Sequence, residues 1–274
     1  EVPDGTVSAM IVITGGSGFM GQALVRRFVA DGERVRVFCL PGDPNIETVR
    51  SLGAEVVCGD IADAGTVAGV CHGATTVYHL AAVIIAFDDT VHERVNVGGT
   101  RNIIAEAQRE QVRHFIHVSS ASVVYPSSTA YSRSKRRCEQ IVRDSAVPAT
   151  IVRPTLVYVD GAGGEEFDAF LAYLHRFPIV PFIGRGRAVK RPVHVDDLVD
   201  GFVRLHGNRS ALGKQYNLSG GEPITIRAFA GLCLQLMGHG RRPIVGLPVW
   251  VCRALSVVMG ACMKRPPLRW PVIA

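Results

Sequence analysis

The chain has 274 residues, of which 47% are hydrophobic and 20% charged, and its formal net charge is +6. This balance can bury a large core, so a disordered chain is excluded, and the length suits one large α/β domain with or without a small second lobe. Because the basic residues are spread along the chain, without a polybasic arm or an aromatic ladder, no nucleic-acid partner is expected, whereas an anionic small molecule is compatible with the charge.

The first predicted elements are a strand, a tight turn and a helix. A β-branched run at 9–14 stops at a glycine cluster, and helical spacing of apolar residues follows over 19–30. Further strands are predicted at 34–39, 55–58, 76–80, 115–118 and 150–152, and further helices at 46–52, 91–108 and 131–142. Beyond Pro154 the pattern is irregular until a helix at 196–205 and a strand at 216–218.

Strands that alternate with helices in this way predict an α/β fold, a doubly wound parallel sheet of the Rossmann type. We expect residues 9–157 to form the dinucleotide-binding domain, to which 190–220 returns. Residues 158–189 and 221–274 are then expected to form a small C-terminal lobe that holds the substrate.

The glycine cluster between the first strand and the first helix has the spacing of a phosphate-binding turn. Gly15 permits the tight turn, Gly18 lets the backbone approach a pyrophosphate, and Gly21 lets the helix pack close to the sheet. A glycine-rich turn without a ligand is the alternative, but the strand-first context favours dinucleotide binding. The predicted cofactor-binding residues of this segment are Gly15, Ser17, Gly18, Phe19, Met20 and Gly21.

The sequence leaves open whether the cofactor is NAD or NADP. An acid at the end of the second strand would bind the ribose of NAD, and an arginine there would favour NADP, but the strand ends Phe38-Cys39-Leu40. Asp43 lies a few residues late, and the missing acid together with the nearby Arg36, which lies inside the strand, tilts the choice slightly towards NADP. Asp60, after the third strand, is placed to accept from the adenine amino group or, alternatively, to cap a helix over 63–71.

Tyr131 and Lys135 lie four residues apart and therefore on one face of a helix. A fixed cation beside a phenol favours the phenolate, and such a phenol can exchange a proton with a carbonyl or hydroxyl while hydride moves to or from nicotinamide. The alternative is an exposed pair on a basic helix, because Arg133, Arg136 and Arg137 lie alongside.

In order along the chain, these motifs resemble the short-chain dehydrogenase/reductase superfamily, in its extended, epimerase/dehydratase-like branch. The resemblance implies that Tyr131 is the acid/base, that Lys135 holds the nicotinamide ribose and favours the phenolate, and that Ser120 hydrogen-bonds the reacting oxygen. The segments that carry it are Thr14 to Gly21, Gly59-Asp60, His79 to Ala82, Asn96 to Thr100, Val118 to Ser120, Tyr131 to Lys135, Arg153 to Thr155 and His194 to Asp197.

The resemblance also implies cofactor contacts by Asp60, Ile61, Leu80, Ala81, Ala82, Asn96 and Pro154. Asn96 either orders the site or simply caps a helix, and Pro154 presents backbone near the carboxamide. Two differences from the family pattern limit how far the family's residue roles apply to this chain. Only 11 positions separate Ser120 from Tyr131, so Ser119 or Ser122 is an alternative to Ser120, and Val159 stands where the family usually has glycine.

Substrate contacts are expected from Lys190, Arg191 and His194, although a solvated basic loop and a structural histidine explain them too. The leading hypothesis is an NAD(P)-dependent oxidoreductase or epimerase that acts at a secondary alcohol or ketone of a nucleotide sugar. The alternatives are a 3β-hydroxysteroid or dihydroflavonol type of reductase and a non-catalytic dinucleotide-binding sensor or assembly subunit. No metal is expected.

The remaining expectations concern the chain ends, the cysteines and the location. Residues 249–264 form a predicted amphipathic helix whose apolar face is covered either by protein, including a homodimer partner, or by a membrane surface. Seven cysteines without a CxxC pair predict buried thiols in a reducing compartment. Since residues 1–8 lack the layout of a secretory signal, the predicted location is cytoplasmic, with a membrane-peripheral one as the variant, and Met10 is a candidate natural start.

Overall fold

The computed structural model describes residues 10–86, 88–159, 162–163, 165–240, 242–252 and 254. The strands in chain order are β1 (Met10–Thr14), β2 (Arg34–Cys39), β3 (Glu55–Cys58), β4 (Ala74–His79), β5 (His114–Val118), β6 (Ala149–Pro154), β7 (Val157–Val159), β8 (Ala162–Gly163), β9 (Val180–Ile183), β10 (Val189–Lys190), β11 (Val193–His194), β12 (Gln215–Leu218), β13 (Ile224–Thr225) and β14 (Ile244–Leu247).

The helices lie between these strands. They are α1 (Phe19–Ala30), α2 (Ile46–Ser51), α3 (Ala64–Val67), α4 (Asp89–Val91), α5 (Gly99–Arg109), α6 (Ala130–Asp144), α7 (Glu165–Arg176), α8 (Val195–Leu205) and α9 (Ile226–Leu236). A π-helical stretch, His92–Gly98, joins α4 to α5, and short 3₁₀ turns cover Ala121–Val124 and Arg209–Ala211.

The central sheet has seven parallel strands in the order β12-β6-β5-β4-β1-β2-β3. This arrangement confirms the predicted doubly wound α/β fold. The chain runs outwards in both directions from β1 and β4, so the order reverses between these two strands. In open α/β sheets ligands bind at such a reversal, beyond the carboxyl ends of the strands.

Two apolar layers cover the sheet, because successive side chains of a strand point to opposite faces. Ile11 and Ile13 of β1 belong to the layer under α1 and α8, together with Phe28 and Phe202. Met10 and Val12 face the other layer, which contains Ile103 of α5 and Phe115 of β5. Burial on both faces explains why β1 reads as a continuous apolar run.

The C-terminal lobe is built from short strands and two longer helices. β10 pairs antiparallel with β13, β11-β7-β8 form a three-stranded sheet, and β14 pairs parallel with β9. A separate apolar cluster joins α7 to α9 and contains Leu174, Val180, Phe229 and Leu234. Nowhere in the described residues is there a helix with the length and apolar character needed to span a bilayer.

Four sequence expectations need correction or lie outside the described residues. The helix predicted at 91–108 is interrupted by the π-helical stretch, and the helix predicted at 63–71 ends at Val67, before the positive-φ turn at Gly69. Cys58 is exposed, against the expectation of buried thiols, because β3 is an edge strand. The predicted helix 249–264 falls mostly beyond the described residues.

Candidate active site

The glycine turn that follows β1 can accommodate a ligand phosphate. Gly15 has φ +70°, and a Cβ there would lie 2.8 Å from the Ala81 backbone nitrogen. A Cβ on Gly21 would lie 2.4 Å from the Gly15 carbonyl oxygen, so the close packing of α1 also requires glycine. Gly18 precedes α1 and offers no side chain to cap it. The N–H groups of the first turn therefore point at a position that suits an anion.

Neighbouring residues hold this turn in place. Ser17 is buried, and its hydroxyl donates to Asp43 Oδ2 at 2.7 Å, while its carbonyl accepts from Gln22 and Asn45. Phe19 and Met20 begin α1 and pack partly buried against the core. The six residues predicted from the sequence thus form one hydrogen-bonded turn that leads into the first turn of α1.

The segment after β4 lies directly against that loop. Leu80 N–H donates to the Thr14 carbonyl, and Ala81 N–H lies 3.3 Å from Thr14 Oγ1. His79, at the end of β4, bridges Thr14 and Thr100 with its two ring nitrogens. Burial lowers the pKa of His79 to about 3, so the ring is neutral. Leu80, Ala81 and Ala82 accordingly form the second wall of the crevice.

Asn96 orders this wall and does not cap a helix. It is buried in the π-helical stretch, where its side chain accepts from Val83 N–H at 2.8 Å and donates to the Val83 carbonyl and to Ser134 Oγ. The N-cap alternative is therefore wrong. These bonds tie the segment after β4 to the helix that carries Tyr131.

Asp60 and Ile61 lie after β3, beyond the carboxyl end of the strand. Asp60 accepts from Ala62 N–H and pairs with Arg94 at 3.2 Å, whereas Asp63 caps α3. The alternative role of Asp60 as a helix cap is thus wrong. Ile61 is buried against Gly99, where a Cβ would lie 2.8 Å from the isoleucine.

Tyr131 and Lys135 lie on the first turns of α6. Thr129 and Ser132 form a reciprocal capping box that fixes the start of this helix. Tyr131 is half-buried, and its ring lies 6.1 Å from that of His92. Lys135 is only 2% exposed, and its Nζ donates to the Val118 carbonyl at the end of β5 at 2.7 Å. The alternative of an exposed Tyr/Lys pair on a basic helix is therefore wrong.

The environment of Lys135 leaves most of its hydrogen-bonding capacity unused. Burial lowers the pKa of the ammonium, while Cys138 and Glu139 raise it. Within the described part of the chain Val118 is its acceptor, so two of its three N–H donors have no partner there. A buried cation of this kind fits ribose hydroxyl groups as additional acceptors.

The three serines after β5 have different surroundings. Ser119 is buried and donates to Glu139 at 2.7 Å, so it is not available as a substitute for Ser120. Ser120 accepts from Ser122 N–H at 3.2 Å, and its own hydrogen has no acceptor among the described residues. The Ser122 hydroxyl is buried without a hydrogen-bond partner in the described structure. Ser120 and Ser122 both remain candidates to bind the reacting oxygen.

Glu139, one turn beyond Lys135, was missed from the sequence. Its buried carboxylate accepts from Ser119, from Arg143 and twice from Arg153. Burial alone would raise its pKa, but the bonds from Arg153, Ser119 and Arg143 lower it. The residue fixes the start of the serine segment. Its spacing, four residues after Lys135, is the signal that could have identified it.

Two residues bear on the choice of cofactor. Arg36 binds Glu55 and the carbonyls of Val70 and His72, close to the amino ends of β3 and β4 and away from the crevice. It therefore gives no support for NADP, which corrects the expectation from the sequence. Asp43, by contrast, reaches the glycine turn through Ser17.

The predicted substrate residues make internal contacts. Lys190 Nζ lies 5.2 Å from the ring centroid of Tyr125, and Arg191 donates to the Gly221 carbonyl at 2.7 Å. His194 accepts from Asp196 N–H at the start of α8 and packs edge-on against Tyr158. Pro154 is the last residue of β6. It is buried, and it pairs in register with Leu218 of β12.

Taken together, the glycine turn, the uncapped α1 and the buried Lys135 ammonium fit a nicotinamide dinucleotide. The residues that would hold it lie along the reversal between β1 and β4, where the fold class binds such cofactors. The described residues contain no group of three or more His, Cys, Asp or Glu side chains that could hold a metal ion.

Sequence comparisons agree with this geometry. The model of the 3-beta hydroxysteroid dehydrogenase/isomerase family matches residues 12–132. A ceramide reductase of Caulobacter vibrioides is 36% identical over 69% of this chain, an alignment that spans 58% of that protein. A sterol demethylase protein B of Methylococcus capsulatus is 31% identical, with 93% of this chain and 82% of that protein covered.

Solved structures share the fold at lower identity. The dTDP-glucose 4,6-dehydratase of Streptomyces venezuelae superposes with a TM-score of 0.74 at 24% identity, covering 87% of this chain and 84% of that one. The UDP-glucose 4-epimerase of Thermotoga maritima gives a TM-score of 0.72 at 20% identity, covering 87% and 85%. The chain therefore belongs to the extended short-chain dehydrogenase/reductase family of NAD(P)-dependent enzymes.

Proposed function

We propose that this enzyme transfers hydride between NAD(H) and a ketone or secondary alcohol in an apolar, lipid-like substrate. The observation that carries the proposal is the buried Lys135 ammonium. Lys135 lies on the same helix as Tyr131, and its Nζ donates to the Val118 carbonyl at the end of β5, next to the serine segment.

Side chains of this protein move the proton to and from the substrate oxygen and offset the charge of the phenolate. When bound, the nicotinamide supplies or accepts the hydride. Tyr131 gives a proton to the carbonyl oxygen during reduction and takes it back during oxidation. Ser120 donates a hydrogen bond to the same oxygen, with Ser122 as a second candidate donor. Lys135 offsets the phenolate charge and donates its two remaining N–H groups to ribose hydroxyls.

The apolar substrate class is supported by two relatives and by the contacts of the two predicted substrate cations. The proteins that match over most of this chain include those described as a ceramide reductase and a sterol demethylase protein. Lys190 lies over Tyr125, and Arg191 donates to a backbone carbonyl, so both cations already have partners within the protein. A nucleotide sugar stays the competing prediction.

The preference for NAD over NADP follows from Asp43. Its carboxylate lies beside the glycine turn and would repel the 2′-phosphate of NADP. We expect Asp43→Asn to lower the ratio of kcat/KM for NADH to that for NADPH by about tenfold. A wild-type enzyme that prefers NADPH would contradict this assignment.

The catalytic assignment is tested with Tyr131→Phe, and Tyr216→Phe in β12 is the matched control. Both variants are assayed with NADH against long-chain ketones, ketosteroids and UDP-hexoses, and NADH affinity is measured by fluorescence. We expect Tyr131→Phe to lower kcat at least about 100-fold with unchanged NADH affinity, and the control to retain its rate. Equal rates in the two variants would refute the mechanism, and turnover of UDP-hexoses alone would refute the substrate class.

A further inference from the structure

Three arginines of the C-terminal lobe surround one concavity of about 410 Å³. Its lining is Arg185, Gly186, Arg187, Thr225, Arg227 and Gly246. Backbone bonds hold the wall in place, since Arg227 N–H donates to the Gly186 carbonyl at 3.1 Å and Ile226 N–H to the Ala188 carbonyl. In the part of the chain that the structure describes, none of the three guanidinium groups pairs with a carboxylate.

An exposed apolar surface adjoins this concavity. Gly246, in the wall, belongs to β14, and the chain continues into Val249 and Trp250, which are 40% and 73% exposed. A Cβ on Gly184 would lie 3.9 Å from a Val249 methyl group, so the valine contacts the turn that precedes Arg185. Val249 therefore adjoins the turn beside the concavity and Trp250 is the next residue, so we term the three arginines, Val249 and Trp250 the arginine–tryptophan face.

The two segments that contribute this face are basic. Residues 223–252 contain no Asp or Glu and three Arg, and residues 169–195 contain no Asp or Glu and five Lys and Arg. A surface with so few local counterions is attracted to a polyanionic partner and not to another copy of itself.

We propose that the arginine–tryptophan face docks on an anionic phospholipid bilayer. Unpaired guanidiniums bind lipid phosphates, while tryptophan and valine settle into the interfacial region, where amphipathic rings are favoured. The inference rests on the proposed function in one respect: an apolar substrate resides in a bilayer, and docking brings the lobe that receives it to that source.

The test uses the full chain and sedimentation with vesicles of phosphatidylcholine alone or with 30 mol% phosphatidylglycerol. We expect salt-sensitive binding to the anionic vesicles only. Each basic contact with such a surface is worth about fivefold in affinity, so Arg185→Gln/Arg187→Gln/Arg227→Gln is expected to weaken binding about 100-fold. A control triple, Arg26→Gln/Arg34→Gln/Arg101→Gln, removes the same charge from exposed positions in the nucleotide-binding domain.

Trp250 provides a second readout that does not depend on the arginines. In a Trp270→Phe background Trp250 is the sole tryptophan, and its emission is expected to shift to the blue on anionic vesicles. Free inorganic phosphate or soluble glycerophosphate, which offers the same phosphate chemistry without a bilayer, should not cause this shift. Far-UV circular dichroism of both triples shows whether they are folded.

Several outcomes would overturn the proposal. These are no binding to anionic vesicles, equal weakening by the two triples, an unshifted Trp250 on bound protein, or a concentration-dependent dimer that shields Trp250 without lipid. Turnover of a long-chain ketone dispersed in neutral detergent, without vesicles, is measured in parallel. Absent turnover with intact vesicle binding would refute the proposed function alone, and normal turnover without binding would refute only the docking.

Discussion

Two chemically identical substitutions are expected to change stability in opposite directions. Gly21 and Gly231 both lie inside helices, α1 and α9, where replacing glycine by alanine gains about 1 kcal/mol of helix propensity. A Cβ at Gly231 meets nothing within 4 Å, so Gly231→Ala should gain that amount in full.

At Gly21 the added Cβ would lie 2.4 Å from the Gly15 oxygen and 2.5 Å from the Gly16 Cα. Since ordinary contact begins near 3.4 Å, α1 or the glycine turn must move by about 1 Å. Overpacking costs about 1–3 kcal/mol, and a clash with backbone atoms lies at the upper end, so a net loss of about 2 kcal/mol is expected after the gain in propensity. The moved turn should also weaken NADH binding about tenfold.

Urea unfolding at constant m-value measures the two free energies, and fluorescence titration measures NADH affinity. Gly231→Ala serves as the control for the alanine substitution itself. If Gly21→Ala were as stable as the wild type and bound NADH equally well, the close approach of α1 to the glycine turn would not require glycine at this position.

Three further predictions concern ionisable groups and the effect of their burial or exposure. Glu139→Gln should lower the free energy of unfolding by about 2–3 kcal/mol, because Arg153 then has only a neutral acceptor. The double variant Glu139→Met/Arg153→Met, which removes both charges, should recover part of this loss. Urea unfolding of both variants measures the two free energies. Burial lowers the pKa of His79 to about 3 and that of His117 well below its usual range. Because both rings take up protons near pH 6.5 only in the unfolded chain, the free energy of unfolding should fall by about 1.4 kcal/mol per pH unit for each ring as the pH drops below 6.5. Unfolding free energies that stay constant between pH 6.5 and pH 5 would contradict this. Among the described cysteines Cys58 should be alkylated first, since it is exposed, whereas burial raises the pKa of its strand neighbour Cys39 to about 11; peptide mapping after brief iodoacetamide treatment gives the order.

The sequence predicted the nucleotide-binding half of the molecule closely. Parallel strands buried on both faces, such as β1, read as continuous apolar runs, and the glycine turn and the Tyr131/Lys135 spacing are local patterns. These features need no knowledge of distant contacts. The strand β2 and the helix α1 accordingly have the predicted bounds.

The remainder depends on contacts between distant segments. Strands of two to four residues, such as β10 and β13, have too few residues for a periodic pattern, and their pairing joins positions 35 residues apart. Arg36 was misjudged because the direction of a long side chain is decided by its partners on β3 and before β4. The role of Asp43 at the glycine turn likewise depends on a loop conformation that no local pattern indicates.

The position of β12 has a consequence for biosynthesis. This strand completes the sheet by pairing with β6, but residues 155–214 separate the two strands in the chain. At ordinary translation rates those residues take about 3–12 s to make, and throughout this time one edge of β6 is without its partner strand. Expression conditions that slow the ribosome over this stretch should therefore favour aggregation of the nascent chain.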